Sequence, residues 1–278
     1  MNPVRAPAVS GRFYSAEPAR LADDVRALCG QARAAMGTPE PVAAIAAIVP
    51  HAGYVYSGLC AAHVLVRLAL PDIIVILAPN HTGVHRAPGG ASLFASGVFR
   101  TPLGDVLVAE DFGRALLAAE PLVGDDPAAH EREHAVEVEL PFLQVLRPGA
   151  RIVPLVLAFD DWEPCRALGD SLARLVRGWP EPVLLLASSD LNHYEPAFVN
   201  ERKDARALAA ITALDGGELL DRCTREGISM CGRAAAATVL AAATTLGATR
   251  AEVVDYRHSG EVSGDVEQVV GYGGVIVA

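Results

Sequence analysis

Apolar residues recur along this chain in two rhythms. Short runs rich in Val, Ile, Leu and Ala occupy residues 44–49, 73–78, 152–158, 183–188, 253–257 and 272–277. Such short and largely unbroken runs predict strands covered on both faces. Between them lie longer stretches with helical spacing, at 18–34, 58–70, 109–119, 131–146, 164–177, 196–213, 217–225 and 232–246. Residues 91–107 alternate more, which predicts an antiparallel hairpin at one sheet edge. Strands that take turns with helices imply an α/β three-layer sandwich, and the hairpin makes its central sheet mixed. No internal repeat or long linker divides the 278 residues, so one domain over 1–278 is expected.

Chemistry gathers where the predicted strands end. His51 follows the first strand in Pro50-His51-Ala52-Gly53, and His81 follows the second in Pro79-Asn80-His81-Thr82-Gly83. Ser188-Ser189-Asp190-Leu191-Asn192-His193 closes the fourth. Sites in open α/β sheets collect outside the carboxyl ends of strands, and three separate strands deliver a histidine there. For each histidine alone, a turn residue bonded to backbone is an equally good reading. Asp190 and His193, three residues apart, are candidates for orienting and moving a proton, with an N-cap as the plain reading of Asp190.

Cys231, in Met230-Cys231-Gly232-Arg233, precedes an Ala-rich helix whose dipole would favour the thiolate. A lone cysteine is more commonly a small buried hydrophobe, and that is the reading for Cys29, Cys60, Cys165 and Cys223. His134 begins Glu133-His134-Ala135-Val136-Glu137-Val138-Glu139, which reads as a helix with a solvated acidic face. His85, in a Gly-rich loop, reads as solvent-exposed. Tyr54, Tyr194 and Tyr256 flank the histidine loops and would line a pocket or simply pack. Asn80 and Asn192 suit substrate contacts or ordinary turns.

Composition narrows the function. With 33 acidic against 23 basic residues the net charge is -10, a poor match to phosphate backbones or anionic lipid. The opening twenty residues lack an apolar signal region, and no apolar run reaches membrane-spanning length. Five scattered cysteines without a CxxC suit a reducing, cytoplasmic compartment. The chain has no GxGxxG after its first strand, no P-loop, no HExxH and no GxSxG.

Taken together, these stretches resemble the Memo family, known in bacteria and archaea as AmmeMemoRadiSam system protein B. The resemblance runs through residues 5–14, PHAGYVYSG at 50–58, APNHTG at 78–83 and EHAVEVELPFLQ at 133–144. It continues through SSDLNHY at 188–194, MCGR at 230–233 and SGEVSGDVEQVVGY at 259–272. Ala78 stands where the family often has Gly, and Asn192 where it often has Ser.

The family is related to class III extradiol dioxygenases, which hold non-haem Fe(II) with two histidines and a carboxylate. The resemblance therefore implies the same three-layer fold and a metal site of His51, His81 and Cys231. Asp190, His193 and His134 are then expected in the catalytic pocket, His193 in the acid/base role. Fe(II) is the expected metal, with copper or zinc as alternatives, since a thiolate softens the site. The family name implies AMMECR-like and radical SAM partners. The rival expectation is a pocket that binds a peptide, small ligand or metal without turnover. A structural zinc site fits less well, because its four ligands normally come from close-spaced pairs.

Overall fold

The computed structural model describes residues 3–278. In chain order the strands are β1 (Val4–Arg5), β2 (Ala46–Val49), β3 (Ile73–Pro79), β4 (Ala91–Leu93), β5 (Val98–Thr101), β6 (Gly104–Leu107), β7 (Val123–Asp125), β8 (Arg151–Leu157), β9 (Val183–Ser188), β10 (His193–Glu195), β11 (Ala251–His258) and β12 (Val269–Val277). The helices are α1 (Pro18–Ala35), α2 (Tyr54–Leu65), α3 (Glu110–Ala119), α4 (Ala135–Leu146), α5 (Trp162–Gly178), α6 (Ala197–Thr212), α7 (Gly216–Glu226), α8 (Arg233–Leu246) and the short α9 (Gly260–Ser263). A 3-10 turn spans Pro127–His130.

Four parallel strands, in the order β2-β9-β3-β8, form the middle of the large sheet. The sheet is mixed, as expected, because antiparallel neighbours flank this middle on both sides. On one side β4 joins β8 antiparallel and β7 extends it. On the other, β12 pairs with β11 along one edge and with β2 and β10 along the other. The predicted hairpin divides: 91–93 joins the large sheet, and 98–107 folds as the β5–β6 hairpin in a separate three-stranded sheet with β1.

Alternation along the middle strands sorts side chains into two apolar layers. Ile73, Val75 and Leu77 of β3 enter one cluster with residues of α3, α5, α6, α7 and α8. Ile74, Ile76 and Ala78 enter the other with α1, α2 and α4. Successive side chains of a strand point to opposite faces, so a strand apolar at every position must be covered twice. Each fully buried Leu or Ile contributes about 1.5–3 kcal/mol. The helix expected at 58–70 starts earlier, at Tyr54, and Gly58 lies inside it. There a Cβ would stand 2.8 Å from Leu28 Cδ1, so Gly58 lets α1 and α2 approach closely. Among the described residues no helix is long and apolar enough to cross a membrane.

The acidic face expected on α4 is not solvated. Glu137 is buried and takes hydrogen bonds from Arg5, the Ala8 and Val9 N–H groups and the Tyr14 hydroxyl. These bonds clamp the N-terminal segment onto α4. His130 is buried beside this clamp, its Nε2–H donating to the Ser92 carbonyl at 3.0 Å. Burial, helped by Arg5, lowers the His130 pKa to about 4 despite the Ser92 bond. The unfolded chain takes up that proton near pH 6.5, while the folded chain resists until about pH 4, so this contribution to stability is lost as pH falls through that window. From pH 7 to pH 4 the wild type should lose roughly 3 kcal/mol relative to His130→Gln, at 1.4 kcal/mol per pKa unit. Urea unfolding of both proteins at the two pH values measures this; a constant gap between them would contradict it.

Candidate metal centre

All four parallel strands end at the same side of the sheet, and the loops that leave them carry the polar residues. Pro50-His51 leaves β2, Asn80-His81 leaves β3 and Ser189-Asp190 leaves β9. β10 takes over the edge of β12 beyond the point where β2 stops, which brings His193 to the same side. The turn before α8 lies against the turn after β9: Gly232 N–H donates to Ser189 Oγ at 2.9 Å, and a Cβ on Gly232 would come within 2.5 Å of the Ser188 carbonyl. That close approach places Cys231 Sγ 3.3 Å from the Asp190 N–H that donates to it.

The histidines converge. Ligand atoms of His51, His81 and His134 all lie within 4.8 Å of one another. His51 and His81 meet edge-on with centroids 5.2 Å apart, and His134 stacks on His81 at 4.7 Å. Cys231 Sγ lies 3.3 Å from His51 Nε2. His51, His81, His134, Asp190, His193 and Cys231 all line one cleft of about 540 Å³. A second hollow of about 490 Å³ shares His81 and Cys231 with it.

Three of the four cleft histidines are held by the far ring nitrogen. His51 Nδ1 meets Ser188 Oγ at 2.8 Å, and His81 Nδ1 meets Glu133 Oε1 at 2.8 Å. His193 Nδ1 meets the Ser229 carbonyl at 2.9 Å, which leaves its Nε2 for the cleft. Metal-binding histidines are characteristically anchored in this way. Glu133 does more than hold His81: it also accepts from the His81, His134 and Ala135 N–H groups, and so caps α4. This is why the helix expected from residue 131 starts at Ala135.

Electrostatics keep most of the rings neutral. Burial, followed by the nearby imidazoles, lowers the His51 pKa well below its usual value. Burial also lowers His134 and His193. His81 differs: burial pulls it down, but the bond to Glu133 and that carboxylate's charge outweigh burial and raise it. Burial raises Asp190 to about 7, although the His51 and Ala52 N–H groups oppose the shift. The helix-dipole expectation for Cys231 needs correction. Burial, then the charge of Asp190, pushes the thiol up rather than down. Only a cation beside it would favour the thiolate.

The three imidazoles could hold a metal ion, and Cys231, outside that group, stands beside one of them. Neutral imidazole nitrogen and sulfur bind a divalent ion at about 2.0 and 2.3 Å, which sets them roughly 3.5 Å apart across a tetrahedral centre. The His51–Cys231 separation of 3.3 Å matches.

The family model described as "Memo-like protein" matches residues 5–276. The chain belongs to the Memo family. A MEMO1 family protein of Methanopyrus kandleri is 36% identical over 98% of each chain. Those of Methanocaldococcus jannaschii and Aeropyrum pernix are 37% and 39% identical, over 100% and 99% of each chain. Among solved structures, the uncharacterized protein JW3007 of Escherichia coli K12 aligns with a TM-score of 0.47 at 13% identity, over 81% of this chain and 98% of that one. That likeness is too remote to carry an argument.

Other sequence candidates of this Memo-family chain take different places. Tyr54 is buried and its hydroxyl donates to the Val138 carbonyl. Tyr256 donates to Asp204. Tyr194 lines the cleft and is 72% exposed. Asn80 closes its own turn onto the Val84 carbonyl, and Asn192 is buried among Asn200 and Asp204. His85 is exposed. No helix follows Asp190; its carboxylate accepts from the His51 N–H. Glu133 and Ser188 were missed by the sequence reading, although both sit inside the motifs that carry the family resemblance.

Glu133→Gln weakens the anchor of His81. It should reduce zinc affinity by roughly 10–100-fold, measured by competition with a chromophoric chelator. Unchanged affinity in a folded variant would show that zinc does not bind through His81.

Proposed function

We propose that this chain is a metal-dependent, dioxygenase-like oxidoreductase that holds one ion between His51, His81 and Cys231. The single observation that carries the reading is the placement of His51 Nε2 and Cys231 Sγ, 3.3 Å apart at the edge of a three-imidazole group. Fe(II) is the favoured ion and copper the next; His134 stands ready as a further nitrogen donor. Bound there, the ion supplies redox and Lewis-acid chemistry at open coordination positions.

The residues around it divide the remaining work. His193, anchored at Ser229, presents Nε2 to the cleft as the proton carrier. Asp190 fixes the His51 loop through the backbone N–H and adds negative charge when ionised. Phe13 packs edge-on against His134 at 4.9 Å and limits water at that end. A cytoplasmic, reducing setting keeps Cys231 from oxidation, and work alongside AMMECR-like and radical SAM proteins is part of the proposal on family grounds alone.

A second reading, a pocket that binds a peptide or small ligand or handles metal without turnover, draws on the exposed Val55, Tyr56 and Tyr194 that line the cleft. A closed structural zinc site is disfavoured by the open cleft.

Metal analysis of tag-free protein purified without air, beside the His51→Ala/His81→Ala variant, tests the reading. About one iron per chain, lost in the variant, is expected for a single mononuclear site. With a substrate found by oxygen-consumption screening, Cys231→Ala should lose metal and turnover together, and His193→Ala should keep metal and lose turnover. Turnover by a metal-free Cys231→Ala protein would refute the mechanism.

A further inference from the structure

Behind His51 lies a buried chain of polar atoms that the metal reading does not use. Ser188 Oγ stands 2.8 Å from His51 Nδ1, 2.8 Å from the Ala135 carbonyl and 2.8 Å from Glu139 Oε1. Glu139 and Ser188 are fully buried, and His51 is nearly so. Glu139 Oε2 has no partner, and among the described residues no Lys, Arg or His forms an ion pair with Glu139.

The hydroxyl has one hydrogen and two lone pairs, so it donates to one of its three contacts and accepts from the other two. The Ala135 carbonyl can only accept, and it therefore takes the Ser188 hydrogen. Ser188 Oγ then has two acceptor positions left. Glu139 fills one only if it carries a proton on Oε1, and His51 fills the other only if it carries its proton on Nδ1. In the alternatives, Ser188 donates to a bare His51 Nδ1 or to an ionised Glu139. Either leaves Ser188 Oγ and the Ala135 carbonyl facing each other at 2.8 Å with no hydrogen between them, and the second also leaves a buried carboxylate with one oxygen unpartnered. Both are costly in an interior. Burial pushes the Glu139 carboxyl well above its usual range, and the charge of Asp190 pushes the same way.

We propose that Glu139 and Ser188 are positioning residues: an uncharged Glu139 donates to Ser188, and Ser188 holds His51 in the tautomer with hydrogen on Nδ1 and a free lone pair on Nε2. That lone pair faces Cys231 and the cleft. The role of the lone pair as a metal ligand rests on the function proposed above; the tautomer does not. A carboxyl group thus orients an imidazole through a hydroxyl while adding no negative charge behind it. His81 is built in the opposite way, directly on the ionised Glu133, whose pKa is held down by its bond to His81 and the nearby imidazoles despite burial. The two histidines would therefore differ in basicity, His81 being the stronger donor.

Nitrogen NMR of ¹⁵N-histidine-labelled, metal-free protein reads the tautomer directly. His51 should carry its proton on Nδ1 in the wild type and in Glu139→Gln, where the amide N–H replaces the acid O–H. It should become a mixture of tautomers in Ser188→Ala and Glu139→Leu. At pH 7 the infrared difference between wild type and Glu139→Gln should contain the carbonyl band of a protonated carboxylic acid. A proton on Nε2 in the wild type, carboxylate bands in its place, or a Ser188→Ala tautomer identical to wild type would each overturn the proposal. The wild-type tautomer and the infrared band decide it even if Ser188→Ala does not fold. Cobalt(II) titration separates the two readings. Ser188→Ala should bind roughly 10–100-fold more weakly, and Glu139→Gln like wild type. Wild-type protein that shows the Nδ1–H tautomer but binds no cobalt would refute the metal centre and leave the positioning pair standing.

Discussion

Three imidazoles brought within 4.8 Å of one another cannot all be charged, and the architecture of the cleft follows from that constraint. Burial, helped by mutual repulsion, keeps His51 and His134 neutral. Glu133 anchors His81 directly and outweighs burial there, whereas at His134 burial outweighs the charge of the same carboxylate. The remaining acids are arranged so as not to undo the balance. Glu137 is neutralised by Arg5 and turned toward the N-terminal segment, and Asp190 is spent on backbone N–H groups. What results is two neutral imidazoles and a more basic third beside a thiol, a combination that favours a cation.

The fold supplies this set from a sheet that is apolar on both faces. Because β2, β9 and β3 run parallel, their loops emerge together, and each loop needs only one or two residues to place its donor. The two apolar layers hold the strands rigidly, so the cleft residues need little support of their own beyond a bond to the far ring nitrogen. β12 completes the arrangement by pairing with β2 over part of one edge and with β10 over the rest. This step from one partner to another carries His193 into the cleft without any helix at Asp190.

Much of this was legible along the chain. Unbroken apolar runs gave β2, β3, β8 and β9 to within a residue or two, because a strand covered twice leaves no polar position to confuse the pattern. His51, His81 and His193 were visible as polar residues just past those runs, and Cys231 by its place before an Ala-rich helix and within the MCGR stretch of the family resemblance. The small strands β1, β4, β7 and β10 were not legible as separate strands, since two to three residues carry no periodicity. Nor was the burial of Glu133, Glu137 and Glu139. Acids spaced along a helix look solvated until the partners arrive from far along the chain: Arg5 and Tyr14 for Glu137, His81 for Glu133, Ser188 for Glu139. Ser188 itself looked like the ordinary end of a strand.

The chemistry proposed for the cleft turns on one ion shared by His51, His81 and Cys231. X-ray absorption at the zinc edge of protein reconstituted with one equivalent of zinc tests it most directly. One sulfur at about 2.3 Å and at least two imidazole nitrogens near 2.0 Å are expected, with the sulfur signal absent in Cys231→Ala. A wild-type spectrum with no sulfur, and a Cys231→Ala spectrum that matches it, would contradict the account.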